Sequence, residues 1–569
     1  MNSTAKFVLD PFLEEKIDKY IEEEKFTDAN SILKKDFNKG SNNFELLKKK
    51  LTQSSIKKVS MKSLTLSMIV KNEEKHLKEC LESVKNVVDE IVIVDTGSTD
   101  ATVEIAKSYG AKVYNFGWIN DFSAARNYAL SKSTGDWILY LDADERLDAN
   151  SIQEVKQLTS VKQKIGYYCT VLSVDEENSR DNYIRYVRLF ANYSNIKFSG
   201  KVHEQIEPSL LNEGLALIQS KILIKHVGYN VSSEEKKLKA KRNLFLLLED
   251  YEANKSAYCA FQLGLTYSVL KDSENAVNYF HIAAESGKLD RQYRAQCYTS
   301  LALISQQNHR ITDAEKYIQY SLKVDDKQPF AHMLASKIAL RKDELVMAEE
   351  RCKRAYLLNQ EMQNKRLYYS LSIMLDTEEV IYYGLTLSIQ NRNNSNYQFY
   401  QNELYSYFKK MGGQHELTKF NVINKLFSNS AFTQEEIDLL SKMTNGNNLS
   451  FVMLMLGNNP YKQHVLEIVE KIRARFTASI DIEKLYAKTL DELGRVEEAT
   501  LVLEKLTHKA DDDPSILFYL ISFYLKQGLD EKIRPIVLLL EKKFSHVADV
   551  MTRVRTLKRK LLMLTKVPL

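Results

Sequence analysis

Hydrophobic residues follow two different rhythms along this chain, and the change near residue 233 divides it in two. Before that point, short apolar or β-rich runs alternate with amphipathic helical patterns. Residues 64–70, 90–95 and 137–142 read as strands, and 75–87, 102–109 and 123–131 as the helices between them. Such alternation predicts a parallel, doubly wound α/β sheet. A fourth strand is expected at 112–116, and 166–174 and 183–190 read as further strands past the third.

From about 233 onward the pattern turns helical and repeats. Leu263, Gly264, Tyr267, Ala276, Phe280 and Ala283 put small and large apolar residues at the offsets of a tetratricopeptide hairpin, where small residues let two helices approach closely. The later small position recurs at Ala314 and Ala348, steps of 38 and 34 residues, with Leu301 and Ala302 before the first and Cys352 and Ala355 after the second. Three consecutive hairpins are enough for a stable stack. Residues 360–450 stay helical but lose the register, which Ala499, Leu503 and Leu506 resume weakly. Ile17, Tyr20, Ala29 and Leu33 predict a degenerate hairpin ahead of the sheet, joined to it by a polar, basic linker over 48–62. The expected division is a helical hairpin and linker over 1–62, an α/β domain over 63–235, repeats over 236–360 and degenerate helical repeats over 361–569.

Composition narrows the class. The 569 residues include only 18 Gly and 7 Pro, about 4% of the chain against a usual ~12%. That shortage excludes a many-stranded sandwich, a collagen-like chain and a Pro/Gly-rich disordered one. The hydrophobic share of 44% is globular, and a net charge of +5 spread over 27% charged residues lacks the concentrated basic footprint that nucleic acid requires. Cys80, Cys169, Cys259, Cys297 and Cys352 lie far apart, without zinc or redox spacing, and predict a reducing, cytoplasmic setting. No apolar run reaches the ~18 residues needed to span a bilayer, and the first residues lack a signal-peptide pattern, so neither secretion nor a transmembrane segment is expected. The basic run 553–560, beside Leu557, Leu561, Leu562 and Leu564, reads as a capping helix with a solvated face before it reads as a membrane-surface segment.

Candidate chemistry gathers at strand ends. Asp142-Ala143-Asp144-Glu145 directly follows an apolar strand, so its carboxylates emerge at the carboxyl end, where open α/β sheets bind ligands. Two carboxylates one residue apart can share a hard divalent ion, Mg2+ or Mn2+, with a pyrophosphate; without context the same motif is an ordinary solvated loop. Asp95 to Asp100 also follows a strand and opens a helix, with Gly97 permitting the tight turn. Ser98, Thr99 and Asp100 read equally well as helix caps. Asp95 is not explained that way, and its carboxylate can accept N–H and ribose hydroxyl donors from a nucleoside. Val70-Lys71-Asn72-Glu73 closes the first strand similarly, so three strand ends carry polar groups at one edge.

Four segments, 66–74 (LSMIVKNEE), 93–100 (IVDTGSTD), 120–127 (NDFSAARN) and 135–145 (GDWILYLDADE), resemble in order and spacing the motifs of family-2 glycosyltransferases. The resemblance implies a GT-A fold, a Rossmann-like and mostly parallel α/β domain, here followed by an all-α tetratricopeptide-type region. It implies a nucleotide held by the first strand end (Val70, Asn72, Glu73) with Asp95 and Thr96, the last a position where many members carry a second acid. Arg126 is then expected to approach the phosphates, and Asp142 and Asp144 to hold the metal. Residues 198–204 (FSGKVHE) and 225–229 (KHVGY) resemble the subgroup with repeats after the transferase domain, which includes peptide S-glycosyltransferases that modify glycosylated bacteriocins. The likeness covers roughly 64–330.

Inverting sugar transfer needs a base for the acceptor proton while the metal stabilises the departing diphosphate. Glu204 is the first candidate for that base and His203 its rival, since imidazole titrates near neutrality. His226 is expected to complete the metal shell, as a late histidine does in many GT-A enzymes, although a lone histidine also reads as structural. Among Arg185, Arg188, Lys239 and Arg242, the arginines Arg188 and Arg242 are the choices for the diphosphate, since guanidinium suits a bidentate grip; residues 236–239 read more simply as a solvated helix face. The expected activity is metal-dependent, inverting transfer from a nucleoside-diphosphate sugar, a UDP-sugar first. The expected acceptor is a Ser/Thr or Cys side chain of a protein or peptide recruited by the concave repeat surface. Two alternatives stand beside it: a cell-surface saccharide or lipid-linked acceptor, and a repeat adaptor that no longer turns over, against which the intact Asp95, Asp142 and Asp144 count.

Overall fold

The run LTLSMIV offers no polar face to solvent, and strand β1 (Leu64–Val70) is accordingly buried along its length in the computed structural model of the chain. The structure describes residues 62–160, 163–175, 180–227, 233–365, 371–477, 479–507, 513–545 and 547–565. The expected hairpin at Ile17, Tyr20, Ala29 and Leu33, most of the linker, and Gly228 and Tyr229 lie outside these residues.

After β1 come α1 (Leu77–Val84), β2 (Glu90–Asp95), α2 (Thr102–Ser108), β3 (Lys112–Asn115), α3 (Phe122–Lys132) and β4 (Trp137–Tyr140). Their strands pair in parallel in the order β3-β2-β1-β4, with helices as crossovers, which is the half of the sheet that the alternating pattern predicts. Next follow β5 (Glu145–Leu147), α4 (Ile152–Leu158), β6 (Ile165–Asp175), β7 (Arg180–Ala191), α5 (Glu207–Asn212) and β8 (Ala216–His226). Here direction reverses. The long strands β6 and β7 follow each other without a crossover helix, so they pair antiparallel, and β7 also runs antiparallel to β4. Strand β8 is parallel to β6 and antiparallel to β5, setting Glu145 opposite His226.

A single half-buried carboxylate fastens the opening of the parallel half. Glu90 accepts from Thr65 Oγ1 at 2.5 Å, the Thr134 backbone N–H at 2.7 Å and Lys112 Nζ at 2.7 Å. Burial works against its charge, but these donors hold its carboxyl at about 2 instead of 4.5. A depressed folded-state value means the stabilisation is complete above about 4.5 and is lost as pH falls towards 2. Glu90→Gln is therefore expected to cost roughly 2 kcal/mol at neutral pH, with the gap to wild type closing in acid; urea unfolding followed at pH 7 and pH 3 checks both.

The helices α6 (Ser233–Asn254), α7 (Ala257–Val269), α8 (Ser273–Glu285), α9 (Arg291–Gln307) and α10 (Ile311–Val324) belong to the same compact unit as the sheet, which comprises Met1–Asp326 and Met362–Met374. The small positions in the repeat pattern are where helices meet: Ala276, Ala283 and Ala314 are fully buried, and a Cβ on Gly264 stands 2.6 Å from Phe280 Cδ1. Overpacking costs typically ~1–3 kcal/mol, more than the ~1 kcal/mol that Ala gains over Gly in a helix. Gly264→Ala is expected to lower the Tm of the full chain, a result that calorimetry reads directly.

The second unit, Lys327–Glu361 and Leu375–Leu569, is built on α11 (Pro329–Arg341), α12 (Leu345–Lys365), α13 (Thr377–Gln390) and α14 (Asn394–Met411), and continues from α15 (Gln414–Phe427) to α23 (Ala548–Thr565). Ala348, Cys352, Ala355, Ala499, Leu503 and Leu506 are all in its core. Where the repeat register lapses, a polar clasp stands in. Glu349, 2% exposed, accepts from Ser388 Oγ at 2.8 Å, Asn391 Nδ2 at 2.7 Å and Asn393 Nδ2 at 3.0 Å. The basic run near the end lies on α23, which buries Val554 and pairs Lys558 with Glu541 at 2.8 Å. Strand β9 (Leu371–Ile373), which belongs to the first unit, pairs antiparallel with β7. All five cysteines are buried and unpaired, and no helix among the described residues is long and apolar enough to cross a membrane.

Candidate active site

The first two strand ends are laced together. Asn72 takes a left-handed conformation (φ 55°), which Asn tolerates better than most residues. Its N–H then donates to Ser98 Oγ at 2.9 Å and its Oδ1 accepts from the Thr99 N–H at 2.8 Å. Glu73 N–H donates to Thr102 Oγ1 at 2.7 Å, and the Val70 carbonyl accepts from both the N–H and the hydroxyl of Thr96 at 3.0 Å. Asp95 is buried and accepts from the N–H groups of Gly97 at 3.2 Å and Ser98 at 3.1 Å. The carboxylate that helix capping did not explain thus has a local task after all, ordering its own turn. A carboxylate has about four lone-pair sites, so capacity for further donors remains.

Strand pairing in β4 stops at Tyr140, and Asp142 lies two residues on in a turn closed by Glu145 N–H to the Asp142 carbonyl at 3.0 Å. In that turn the side chains of 142–145 diverge. Asp142 Oδ1 accepts from Arg126 Nη2 at 2.7 Å and Oδ2 faces Arg188 Nη2 at 3.5 Å. Arg188 bonds more closely to the buried Glu145, at 2.6 Å, and the Nε of Arg126 donates to Glu204. Both guanidinium groups lie against the Tyr140 ring, at 5.3 Å and 4.4 Å from its centroid. Burial works against the Asp142 charge, but Arg126 and then Arg188 outweigh it and hold the carboxyl well below its usual range. Burial pushes Glu145 up to about 7, against the pull of Arg188.

Asp144 leaves the turn in another direction. Its Oδ2 is 3.1 Å from His226 Nε2, a contact set up by the β5–β8 register, and His226 Nδ1 is 3.1 Å from Ser173 Oγ. Although burial disfavours an imidazolium there, Asp144 and the neighbouring Glu145 and Asp142 raise the His226 value. Glu73 is pushed up to about 7 by burial and then by Asp144 and Asp142, with Lys239 opposing. The acids of this corner therefore outnumber their cations, an imbalance that a divalent ion relieves.

The donor set suits such an ion in a particular way. Asp144 and His226 offer adjacent oxygen and nitrogen ligands, and the Ser173 contact behind the imidazole fixes its orientation. Asp142 departs from the expected arrangement: both its oxygens face guanidinium groups, and among the described residues no three His, Cys, Asp or Glu side chains converge on one point. Asp144 supplies one carboxylate, with phosphate and water left to complete the oxygen shell in which Mg2+ is commonly held, and His226 adds a nitrogen ligand.

Two expected residues stand apart from this cluster. Arg242, on α6, lies 5.8 Å from the Phe122 ring centroid and bonds Asn243 Oδ1 at 3.2 Å. His203 (φ 54°) lines a separate cavity whose wall does not include Glu204. Conversely, Glu145, Tyr140 and Ser173 take part without having been singled out. Glu145 was visible as the last letter of the acidic motif; Ser173 has no sequence signal, because only strand pairing brings it to His226.

Residues 65–225 match the family model for glycosyl transferase family 2. The chain is 32% identical over 277 residues to a TPR repeat-containing protein of Synechococcus elongatus, a match covering 46% of this chain and 67% of that protein. It is 30% identical over 264 residues to the SPbeta prophage-derived glycosyltransferase SunS of Bacillus subtilis, covering 45% of this chain and 62% of SunS. An uncharacterized glycosyltransferase of Rickettsia typhi is 30% identical over 183 residues, 30% of this chain and 61% of its own length. The chain thus spans slightly under two thirds of the length of the second and third of these relatives.

Proposed function

The chain belongs to glycosyltransferase family 2, with tetratricopeptide-type repeats behind the transferase domain, and from that premise we propose metal-dependent, inverting transfer of a sugar from a UDP-sugar to a polypeptide side chain. The observation that carries this reading is the reach of one buried side chain: Arg126 joins Glu204 to Asp142, residues 62 positions apart in the chain. A candidate base is thereby held beside the acidic turn.

In this reading the laced ends of β1 and β2 (Val70, Asn72, Glu73, Asp95, Thr96) receive the nucleoside, and Asp95 has acceptor capacity left for ribose hydroxyls. Asp144 and His226 hold Mg2+ or Mn2+. When bound, the ion supplies charge stabilisation to the departing diphosphate. Arg126 and Arg188 add positive charge on the same side, while Asp142 orients both guanidinium groups. Glu204 takes the proton of the acceptor hydroxyl or thiol; a thiol, with a pKa of ~8.5, asks less of that carboxylate. His203, facing a different cavity, is the weaker candidate. Arg242 keeps only a peripheral place, beside Phe122.

Helical repeat stacks present concave surfaces suited to extended peptides, which favours a polypeptide acceptor. Intact-mass analysis of proteins from cells made with and without this chain tests that choice. One polypeptide gaining a hexose or N-acetylhexosamine is the expected result. Sugar found only in polysaccharide or lipid overturns it in favour of a saccharide or lipid-linked acceptor.

A further inference from the structure

The loop that carries Glu204 has two faces. It is pinned by Ser123 Oγ to the Gly200 carbonyl at 2.6 Å, by Phe122 N–H to the Lys201 carbonyl at 2.9 Å and by the Ser199–Gln205 bridge. On one face Glu204 reaches Arg126; on the other His203 lines a cavity of about 270 Å3. The opposite wall belongs to α6 and α7, the helices that begin the repeat region, and includes Asp250, Asn254, Tyr258, Cys259 and Gln262. A cavity of this size lies below the ~300–1,000 Å3 of small-molecule pockets. It has room for a long side chain and too little for a nucleotide sugar.

Its charge is one-sided. Asp250 Oδ1 accepts from Asn254 Nδ2 at 2.9 Å and Oδ2 from the Lys201 backbone N–H at 3.4 Å, both neutral donors. The Lys201 ammonium is turned to Glu249, at 2.8 Å, and among the described residues no cation pairs with Asp250. The other named groups of the α6 and α7 wall are amides, a phenol and a thiol. A carboxylate set among neutral donors and acceptors in a narrow cavity selects a cation on a flexible stem.

We infer that this cavity receives a Lys or Arg side chain of the polypeptide acceptor, close in sequence to the residue being modified. The inference rests on the proposed polypeptide acceptor. It adds a recognition element at the seam between the transferase sheet and the first repeat helices. An occupant bound to Asp250 bears on the Glu204 loop directly, because Asp250 already holds the Lys201 N–H and lies 3.6 Å from the place of a Cβ on Gly200. Correct acceptor binding and placement of the base are then one event.

The readout is binding of labelled peptides to the full-length wild-type protein, followed by fluorescence anisotropy. A pool of Ser-, Thr- and Cys-containing decapeptides with one Lys is expected to bind about tenfold more tightly than the same pool with norleucine for Lys, the size of a modest screened charge–charge attraction. Asp250→Asn is expected to remove that charge selectivity. Equal affinity of the two pools for the wild type, or binding of neither, overturns the inference without reliance on any variant. Acceptor-free hydrolysis of a panel of UDP-sugars with Mn2+ by the same preparation reports the transferase reading separately. Hydrolysis without charge selectivity overturns this inference alone, and selectivity without sugar turnover overturns the transferase reading.

Discussion

Replacing Arg126 by Met is expected to cost about 3 kcal/mol of stability, the low end of what breaking a buried ion pair costs. The low end applies because Asp142, at 38% side-chain exposure, is partly relieved by water, whereas Glu204 is only 13% exposed and loses its cation outright. Both tryptophans, Trp118 and Trp137, lie in the α/β segment, so their fluorescence reports unfolding of the part that Arg126 holds. Arg126→Lys separates stability from chemistry. A lysine keeps the charge, but its single nitrogen lacks the fixed fork that lets Arg126 reach Glu204 through Nε and Asp142 through Nη2. Near-native unfolding with transfer reduced about a hundredfold is expected from the loss of positioning. If the lysine variant transfers sugar at the wild-type rate, the Arg126 bridge has no part in the reaction.

Glu204→Gln is the second large effect. Glutamine still accepts a hydrogen bond from Arg126 Nε, so the loop keeps its place. It cannot take a proton. General-base catalysis is worth typically ~10²–10⁴-fold, and the loss is expected in kcat, with the affinity for UDP and the KM for donor nearly unchanged. His203→Asn is expected to leave kcat within a few-fold. Full transfer by Glu204→Gln at saturating donor, with loss in His203→Asn, reverses the assignment of the base.

These two residues also show what a sequence can and cannot disclose. The parallel strands were legible because each is a short apolar run followed by an amphipathic helix, and the acidic turn because it directly follows such a run. The tetratricopeptide pattern was legible because close helix packing demands small residues, as at Gly264 against Phe280. Arg126 and Glu204 stand 78 positions apart, and nothing local tells that one guanidinium group serves both Glu204 and Asp142. The same holds for Asp144 and His226, 82 positions apart, whose meeting depends on the antiparallel β5–β8 pairing. Asp95 shows the converse: its bonds to Gly97 and Ser98 are local and order its own turn, and they leave acceptor capacity for the proposed nucleoside contact. Lys239 read as part of a solvated face, yet from α6 it acts on Glu73.

The function proposed for this chain turns on sugar transfer from a nucleotide donor at the Asp144–His226 corner. Its most direct test is release of nucleoside diphosphate by the purified full-length protein, given Mn2+ and a panel of nucleotide sugars. One UDP-sugar is expected to be turned over, EDTA to stop the reaction, and Asp144→Ala to lower it by about a thousandfold, as loss of metal-assisted leaving-group stabilisation implies. If no donor is bound or hydrolysed, or if Asp144→Ala and EDTA leave turnover at the untreated wild-type rate, the chain does not transfer sugar at this corner.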